Sequence, residues 1–168
     1  MGSEAALWKK FRKVLQKHDV PYQRFEDSIT GGIPDVAIAL DNRTFWIEMK
    51  HIHKFPTRFN TVVLDDRKLR PNQIDFLVKW GYSSGSGAFI LTQVGGVYYL
   101  HHWKDSVLLN QMNTEDFKNR ACLVSTEMNA SVLNGMITIA NNRRDNETRT
   151  TKNFARKKDR SDCGCRLR

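Results

Sequence analysis

Apolar residues recur at helical spacing near the start of the chain, at Leu7, Trp8, Phe11, Val14 and Leu15. Charged and polar residues fill most positions between them, so the pattern predicts an amphipathic helix over residues 3–18 with Ser3 as its N-cap. Glu4 lies three and four residues before Leu7 and Trp8, and therefore on the apolar stripe. A carboxylate is unusual there, which makes Glu4 a candidate functional residue.

The next segment shows the period-two alternation of strands. Residues 22–29 predict a short strand, and Gly31-Gly32 marks a turn. Residues 33–40 and 43–50 predict a hairpin joined by a tight turn at Asp41-Asn42. Both faces of this hairpin carry apolar side chains, so helices are expected to cover both faces of the sheet.

Helices and strands continue to alternate in residues 51–140. Residues 51–70 predict a polar loop, and loops of this length in a compact domain are usually functional. Pro71 suits the first position of a helix over residues 71–80, which Gly81 would end. A second hairpin at 88–94 and 97–103 and helices at 114–120 and 128–140 follow. The order helix, hairpin, helix, hairpin predicts an α/β fold with a central mixed β-sheet flanked by helices.

The composition narrows the choice of partner. With 168 residues, 40% of them hydrophobic, the chain is long enough for one packed domain. Its formal net charge of +9 indicates a polyanionic partner such as nucleic acid. No apolar run is long enough to span a bilayer and the start of the chain lacks the features of a secretory signal, so no membrane partner is expected. The three cysteines form no disulfide framework, which favours a reducing, intracellular location.

The positive charge is concentrated at the C-terminal end. Residues 141–168 contain ten Lys or Arg and four Asp or Glu, and their only large apolar residues are Phe154 and Leu167. Such a segment cannot bury much surface, so the composition divides the chain into a domain at residues 1–140 and a flexible basic tail at 141–168. The tail is either a solubilising extension or an arm that contacts DNA phosphates, with candidate contacts at Arg143, Arg144, Lys157 and Lys158.

Two carboxylates are expected to meet on the first hairpin. A two-residue turn at Asp41-Asn42 sets a register that places Asp35 directly opposite Glu48. Opposed carboxylates repel each other unless a cation lies between them, and Mg²⁺ prefers carboxylate oxygens. Lys50 lies two residues after Glu48 and so shares its face. The alternative is that Asp35 caps a turn and that Glu48 and Lys50 form a solvent-facing pair, but Trp46 makes that face too apolar to be left in water.

These residues carry a resemblance to a known family. The segments Gly32-Ile33-Pro34-Asp35-Val36 and Trp46-Ile47-Glu48-Met49-Lys50 resemble the motifs of the PD-(D/E)XK nuclease superfamily. The segment from Leu69 to Leu77 is similar to the helix after the catalytic hairpin in the VRR-type, Holliday-junction-resolvase-like branch and its phage relatives. The resemblance covers about residues 3–92 and implies a restriction-endonuclease-like αβββαβ core.

The resemblance also implies a metal site on the hairpin. Asp35 and Glu48 would hold Mg²⁺ or Mn²⁺, with the backbone carbonyl of Met49 as a further ligand. Lys50 would orient the attacking water and offset the charge that develops on the phosphate. A cation held there would polarise the scissile phosphate and make water a better nucleophile.

Three further side chains are candidates for the same site. The superfamily uses an acidic residue ahead of the hairpin, and here this is either Glu4 on the first helix or Glu26 in Arg24-Phe25-Glu26. The residues leave that choice open, and Glu4 also has an ordinary role as a first-turn carboxylate that favours the helix dipole. Gln73 resembles the helix Gln that faces the site, or it is a plain polar helix residue.

The basic residues near the hairpin are candidates for contacting DNA. Gly31 and Gly32 would let a phosphate backbone approach the metal closely, or they serve only the turn. The basic side chains of the 51–70 loop would line the path of the DNA backbone, or they are solvated loop charges: His51, His53, Lys54, Arg58, Arg67, Lys68 and Arg70.

Taken together, the residues and the resemblance predict a Mg²⁺-dependent endonuclease that hydrolyses DNA phosphodiester bonds, with branched or junction DNA as the expected substrate. A sequence-specific restriction- or homing-type nuclease is the alternative within the superfamily. A non-catalytic nucleic-acid-binding module is the alternative of another class. A homodimer is expected, because resolvase-like relatives must cut two strands. The phage relatives point to the cytoplasm of an infected host cell as a location.

Overall fold

The computed structural model describes residues 3–25, 31–83 and 87–142. The helices in these ranges are α1 (Glu4–Lys17), α2 (Pro71–Ser83), α3 (Ser106–Leu109), α4 (Thr114–Arg120) and α5, at residues 130–142. The strands are β1 (Tyr22–Arg24), β2 (Val36–Leu40), β3 (Arg43–Ile52), β4 (Ala88–Val94), β5 (Val97–His102) and β6 (Leu123–Ser125). Two 3₁₀ turns lie at Asp65–Arg67 and Trp103–Asp105.

The strands form one mixed sheet in the order β1-β2-β3-β4-β5-β6. β3 and β4 are parallel, and all other neighbours are antiparallel. Parallel neighbours need a crossover connection, which α2 supplies here. The first six elements therefore follow the order α1, β1, β2, β3, α2, β4, and the expected α/β fold with its αβββαβ order is confirmed.

The predicted first helix is confirmed together with its cap. The Ser3 hydroxyl accepts a hydrogen bond from the Ala6 backbone N–H at 3.2 Å, and the predicted apolar stripe of α1 is buried. This stripe packs on one face of the sheet against Phe45, Ile47 and Met49, together with apolar residues of α5. α1 and α5 therefore lie on the same side of the sheet.

The opposite face of the sheet has its own core. Leu77 of α2 packs there with Ile90 of β4 and Phe117 of α4. Val63, Leu64 and Leu69 of the segment after β3 join this cluster, although that segment is polar in overall composition. Helices therefore cover both faces, as the apolar side chains on both faces of the hairpin predict.

The hairpin turn is as predicted. Asp41 and Asn42 both have positive φ, at 53° and 55°, as a two-residue turn between twisted strands requires. The predicted register holds from Leu40, opposite Arg43, to Val36, opposite Ile47.

Several predicted boundaries are wrong. β3 continues to Ile52, so the loop begins later than residue 51. Gly81 does not end α2, which continues to Ser83, because Gly81 is a packing position: a Cβ there would collide with the indole of Trp103. Trp103 itself lies in a 3₁₀ turn after β5 rather than in the strand.

The C-terminal part of the domain also differs from the prediction. The last helix covers residues 130–142 rather than 128–140, and its Asn141 side chain accepts a hydrogen bond from Arg43 at 2.6 Å. The short elements α3 and β6 lack a sequence signal of their own. The end of the predicted 22–29 strand and the tail from residue 143 lie outside the described residues. No helix in the described ranges is both long and apolar enough to cross a membrane.

The packing of Gly81 against Trp103 predicts the effect of an added methyl group. We expect Gly81→Ala to destabilise the protein by about 1–3 kcal/mol, because overpacking the ring should outweigh the helix propensity that alanine gains. Urea denaturation followed by circular dichroism measures this change. Gly96→Ala is the matched control, since a Cβ at Gly96 would meet nothing within 4 Å. Equal stability of the two variants would contradict the packing role of Gly81.

Candidate active site

Four side chains converge where β2 begins and α2 starts. Glu48 and Lys50 alternate along β3 and point toward the face that α2 covers. Gln73 belongs to the first turn of α2, and Asp35 lies in the bend just before β2. The structure thus brings together Asp35, Glu48, Lys50 and Gln73, all of which the sequence motifs single out.

Asp35 does not pair directly with Glu48 as the hairpin register predicts. The β2–β3 ladder ends at Val36 and Ile47, one position earlier. Beyond it, Asp35 Oδ2 accepts a hydrogen bond from the Met49 backbone N–H at 2.7 Å, while the Asp35 carbonyl accepts one from Phe25. The chain bends at Pro34-Asp35, so the backbone ladder with β3 stops at Val36. Beyond that point the Asp35 carboxylate, and not a backbone carbonyl, accepts the hydrogen bond from the Met49 N–H.

Glu48 lies at the centre of the site. Its side chain is 1% exposed, and its Oε1 accepts a hydrogen bond from Gln73 Nε2 at 2.7 Å. Lys50 Nζ is 2.8 Å from the same oxygen. The other oxygen, Oε2, is buried and has no hydrogen-bond partner within the described part of the chain. A buried carboxylate oxygen without a partner is costly, and a cation is one group that would satisfy it.

Gln73 connects Glu48 to the start of α2. Its Oε1 accepts a hydrogen bond from the Arg70 backbone N–H at 3.0 Å, so its Nε2 is left to donate to Glu48. This is the reach-back contact of a helix capping box, in which the third helical residue bonds the backbone of the cap residue. Gln73 is 6% exposed, and its amide is held at both ends. The expectation that Gln73 faces the site agrees with this placement.

Burial controls the charge state of the two carboxyls. Burial, and then the neighbouring Asp35 carboxylate, raise the pKa of Glu48 from 4.5 to about 7, although Lys50 opposes the shift. Burial also raises the pKa of Asp35, against the hydrogen bond from Met49 and the charge of Lys50. Without a cation, a single lysine therefore does not fully compensate two buried carboxyls.

The donors present suit a hard divalent cation. Asp35 and Glu48 offer carboxylate oxygens, which Mg²⁺ and Mn²⁺ prefer. The Met49 N–H bonds toward β2, and both backbone groups of a strand residue point to the same neighbour, so the Met49 carbonyl also lies on the Asp35 side. The residues thus fit the predicted metal site, with two carboxylates and one carbonyl as oxygen donors.

No third acidic side chain completes the candidate metal site within the described residues. Residues 3–25, 31–83 and 87–142 contain no group of three His, Cys, Asp or Glu side chains that could hold a metal ion. Glu4 is half-buried, and its charge raises the pKa of both Asp35 and Glu48, but it does not complete such a group. Glu26 lies outside the described residues.

The two glycines lie against the start of α2. Gly31 has a positive φ of 61°, and a Cβ there would collide with the Arg70 guanidinium. A Cβ at Gly32 would meet the Asn72 Cβ at 3.1 Å. Both glycines therefore allow the Gly-Ile-Pro-Asp segment to pack closely on α2, and close approach of a phosphate remains a prediction.

The candidate DNA-contacting residues differ in their exposure to solvent. His51 is partly exposed and follows Lys50 on β3, whereas six others are exposed: His53, Lys54, Arg58, Arg67, Lys68 and Arg70. Lys68 is 3.6 Å from Asp65 in an exposed ion pair. Arg143, Arg144, Lys157 and Lys158 lie outside the described residues.

Burial and charges on several elements together shift the pKa of His51. Burial lowers its pKa, Glu4 raises it, and the positive charges of His53, Arg67 and Lys10 lower it further. Lys10 belongs to α1, so the positive surface near the site extends onto that helix.

One polar side chain near the site has no counterpart in the sequence motifs. Thr92 of β4 lies opposite Lys50 in the parallel β3–β4 ladder and is fully buried, and its hydroxyl has no hydrogen-bond partner in the described chain. The only signal for Thr92 is the parallel pairing of β3 with β4, which no local pattern specifies.

Comparisons with known proteins find a similarity of overall fold only. No protein-family model and no curated protein matches the chain. Among solved structures, the fold is similar to Hjc, a Holliday junction resolvase from the archaeal hyperthermophile Archaeoglobus fulgidus. The identity is 14%, the TM-score is 0.43, and the match covers 58% of this chain and 74% of that one. Likeness at this level says nothing about activity, which has to be inferred from the residues of the site.

The raised pKa of Glu48 predicts how stability depends on pH when no cation is present. Between pH 4.5 and 7 the folded state binds more protons than the unfolded state, so the free energy of unfolding should fall as pH rises. The loss should be complete above about pH 7 and amount to about 3 kcal/mol, with Asp35 acting in the same direction.

Urea denaturation in EDTA at pH 5 and pH 8 tests this expectation. Glu48→Gln should be more stable relative to wild type at pH 8 than at pH 5, because the amide does not titrate. Glu115→Gln is the control, since Glu115 is exposed on α4 and should keep the wild-type pH dependence. A Glu48→Gln variant with an unchanged pH dependence would refute the assignment of this titration to Glu48.

Proposed function

We propose that the protein is a divalent-metal-dependent endonuclease that hydrolyses DNA phosphodiester bonds. The proposal rests above all on the unpartnered, buried Oε2 of Glu48, which lies in a site shared with Asp35 and Lys50. An enclosed carboxylate oxygen, a second carboxylate and a lysine are the groups that metal-assisted phosphodiester hydrolysis needs.

Each side chain has a role in this proposal. Asp35 and Glu48 would hold the cation, and the Met49 hydrogen bond fixes the Asp35 carboxylate against β3. A bound divalent cation supplies Lewis-acid polarisation of the scissile phosphate and activation of water. Lys50 is positioned to orient the attacking water and to offset negative charge in the transition state. Gln73 holds Glu48 Oε1, which leaves Oε2 for the cation.

The substrate is inferred from charge and from the resemblance of the motifs. The net charge of +9 and the exposed basic residues after β3 favour a polyanion. The resemblance to the resolvase-like branch favours branched or junction DNA over a specific base sequence. The described residues of each chain form one such site, so cleavage of two strands at a junction calls for a homodimer.

The metal site gives the most direct test of this function. We expect cleavage in Mg²⁺ or Mn²⁺ and none in EDTA, measured on labelled duplex, single-stranded, flap and four-way-junction DNA. Asp35→Asn and Glu48→Gln should each lower the rate by about two orders of magnitude or more, because metal catalysis is worth several kcal/mol of transition-state stabilisation. Asp75→Asn is the matched control, since Asp75 is an exposed carboxylate on α2. Full cleavage in EDTA would rule the proposal out.

Lys50 is expected to act on the chemical step. Lys50→Met keeps most of the aliphatic stem and removes the charge, so the rate at saturating DNA should fall while the Kd for DNA stays nearly unchanged. Lys54→Met, at an exposed position, is the control for loss of one charge. If affinity fell in step with the rate, Lys50 would be a phosphate contact only.

A further inference from the structure

A basic groove lies on the face of the sheet opposite α2. It runs between α1 and the start of α5 and has a volume of about 890 Å³. Three lysines of α1 line one wall, Lys10, Lys13 and Lys17, and the other wall includes Asn129 and Ser131. The spacing of the three lysines places them on one face of the helix. We call this feature the α1–α5 groove.

The charge of the groove is strongly positive. Glu127 is the single carboxylate among its described lining residues, and Glu127 already accepts a hydrogen bond from Asn129 at 3.0 Å. Within the part of the chain that the structure describes, no carboxylate forms an ion pair with Lys13 or Lys17. The three ammonium groups are therefore in excess, and the groove attracts anions.

One lysine of the groove is held in place by the sheet. Lys10 Nζ donates a hydrogen bond to the Tyr98 hydroxyl at 3.1 Å and lies 5.7 Å from the centre of its ring. Tyr98 is buried in β5, so this contact holds the Lys10 ammonium against the sheet. A lysine that is ordered before a ligand arrives loses less conformational entropy when it binds.

The groove opens at the same end of the sheet as the candidate active site. The ladders place His51, Gln93 and Tyr98 side by side on β3, β4 and β5. Two strand spacings separate His51 from Tyr98, or about 10 Å. His51 directly follows Lys50 on β3, so its side chain points to the opposite face of the sheet. The groove and the site therefore lie on the two faces of the sheet at the same end of it. Lys10 is close enough for its charge to act on His51.

We propose that the α1–α5 groove binds backbone phosphates of the DNA molecule whose scissile phosphate occupies the active site. Lys10 and Lys17 are separated by about 10 Å along α1. One strand of a duplex presents a phosphate about every 3.4 Å of its axis, so the three lysines can follow about three phosphates. The inference rests on the proposed function in that it takes DNA as the ligand.

The test compares two double variants that remove the same charge from the same helix. Lys13→Gln/Lys17→Gln changes the groove, whereas Lys9→Gln/Arg12→Gln changes exposed α1 residues outside it. Fluorescence anisotropy with a labelled 30-base-pair duplex in EDTA measures affinity without cleavage. The salt dependence of the affinity is measured with the full-length chain at several salt concentrations.

The expected result is specific to the groove variant. Its affinity for the duplex should fall about tenfold at moderate salt, and its slope of log K against log salt should fall by about 1.8, which corresponds to two lost phosphate contacts. The control variant should change the slope by less than half as much. The rate at saturating DNA in Mg²⁺ should equal the wild-type rate, because neither lysine belongs to the site.

Other outcomes separate the groove from the proposed function. If wild type cleaves DNA but both double variants bind alike, the groove assignment is wrong and the nuclease proposal stands. If no DNA is cleaved in Mg²⁺ or Mn²⁺ but the groove variant alone loses affinity, the nuclease proposal fails and the groove stands. If the groove variant loses as much affinity for poly-glutamate as for the duplex, the assignment of the groove to phosphates is wrong. The assignment is also wrong if the wild-type chain binds no duplex.

Discussion

The burial of the Glu48 carboxylate is the constraint around which the site is built. A charge in this position is costly unless it is paired, and the described residues pair only one of its two oxygens. Gln73 and Lys50 converge on that oxygen from α2 and β3, so the carboxylate ties the crossover helix to the central strand. The same contacts hold the Glu48 carboxylate in a single orientation.

Burial of both carboxyls in one enclosed site costs the folded state stability at neutral pH. Two raised carboxyl pKa values in one enclosed site mean that the folded state disfavours the charges it carries at neutral pH. Functional sites often break the rules of stable packing in this way, and the rest of the fold compensates. Here the compensation comes from two apolar cores, one on each face of the sheet.

The sequence predicts best the features that depend on interactions between residues close along the chain. The α1 cap and the Asp41-Asn42 turn depend on residues close in sequence, and both are confirmed. The position of Glu48 and Lys50 on one face follows from strand alternation, and Gln73 follows from the resemblance of its helix. The hairpin register predicts an Asp35–Glu48 pair, but the bend at Pro34-Asp35 ends the ladder one residue earlier.

Long-range packing accounts for what the pattern did not reveal. Gly81 has the local signature of a helix end, yet Trp103, more than twenty residues later, gives it a packing role. Thr92 reaches the site only because β4 pairs in parallel with β3 across the α2 crossover. The α1–α5 groove likewise needs helices from opposite ends of the described chain, and neither helix indicates it alone.

The placement of long and short strands has a consequence for association between chains. In the described ranges, both edges of the sheet are strands of three residues, β1 and β6, while the longest strand, β3, lies in the interior. Short edges present few unpaired backbone groups to another molecule, which is one way that natural sheets resist aggregation. β3 and β4 become available for intermolecular pairing only after the two strands on one side of them have detached. Aggregation of this protein is therefore expected to begin from partial unfolding at an edge and not from the native fold.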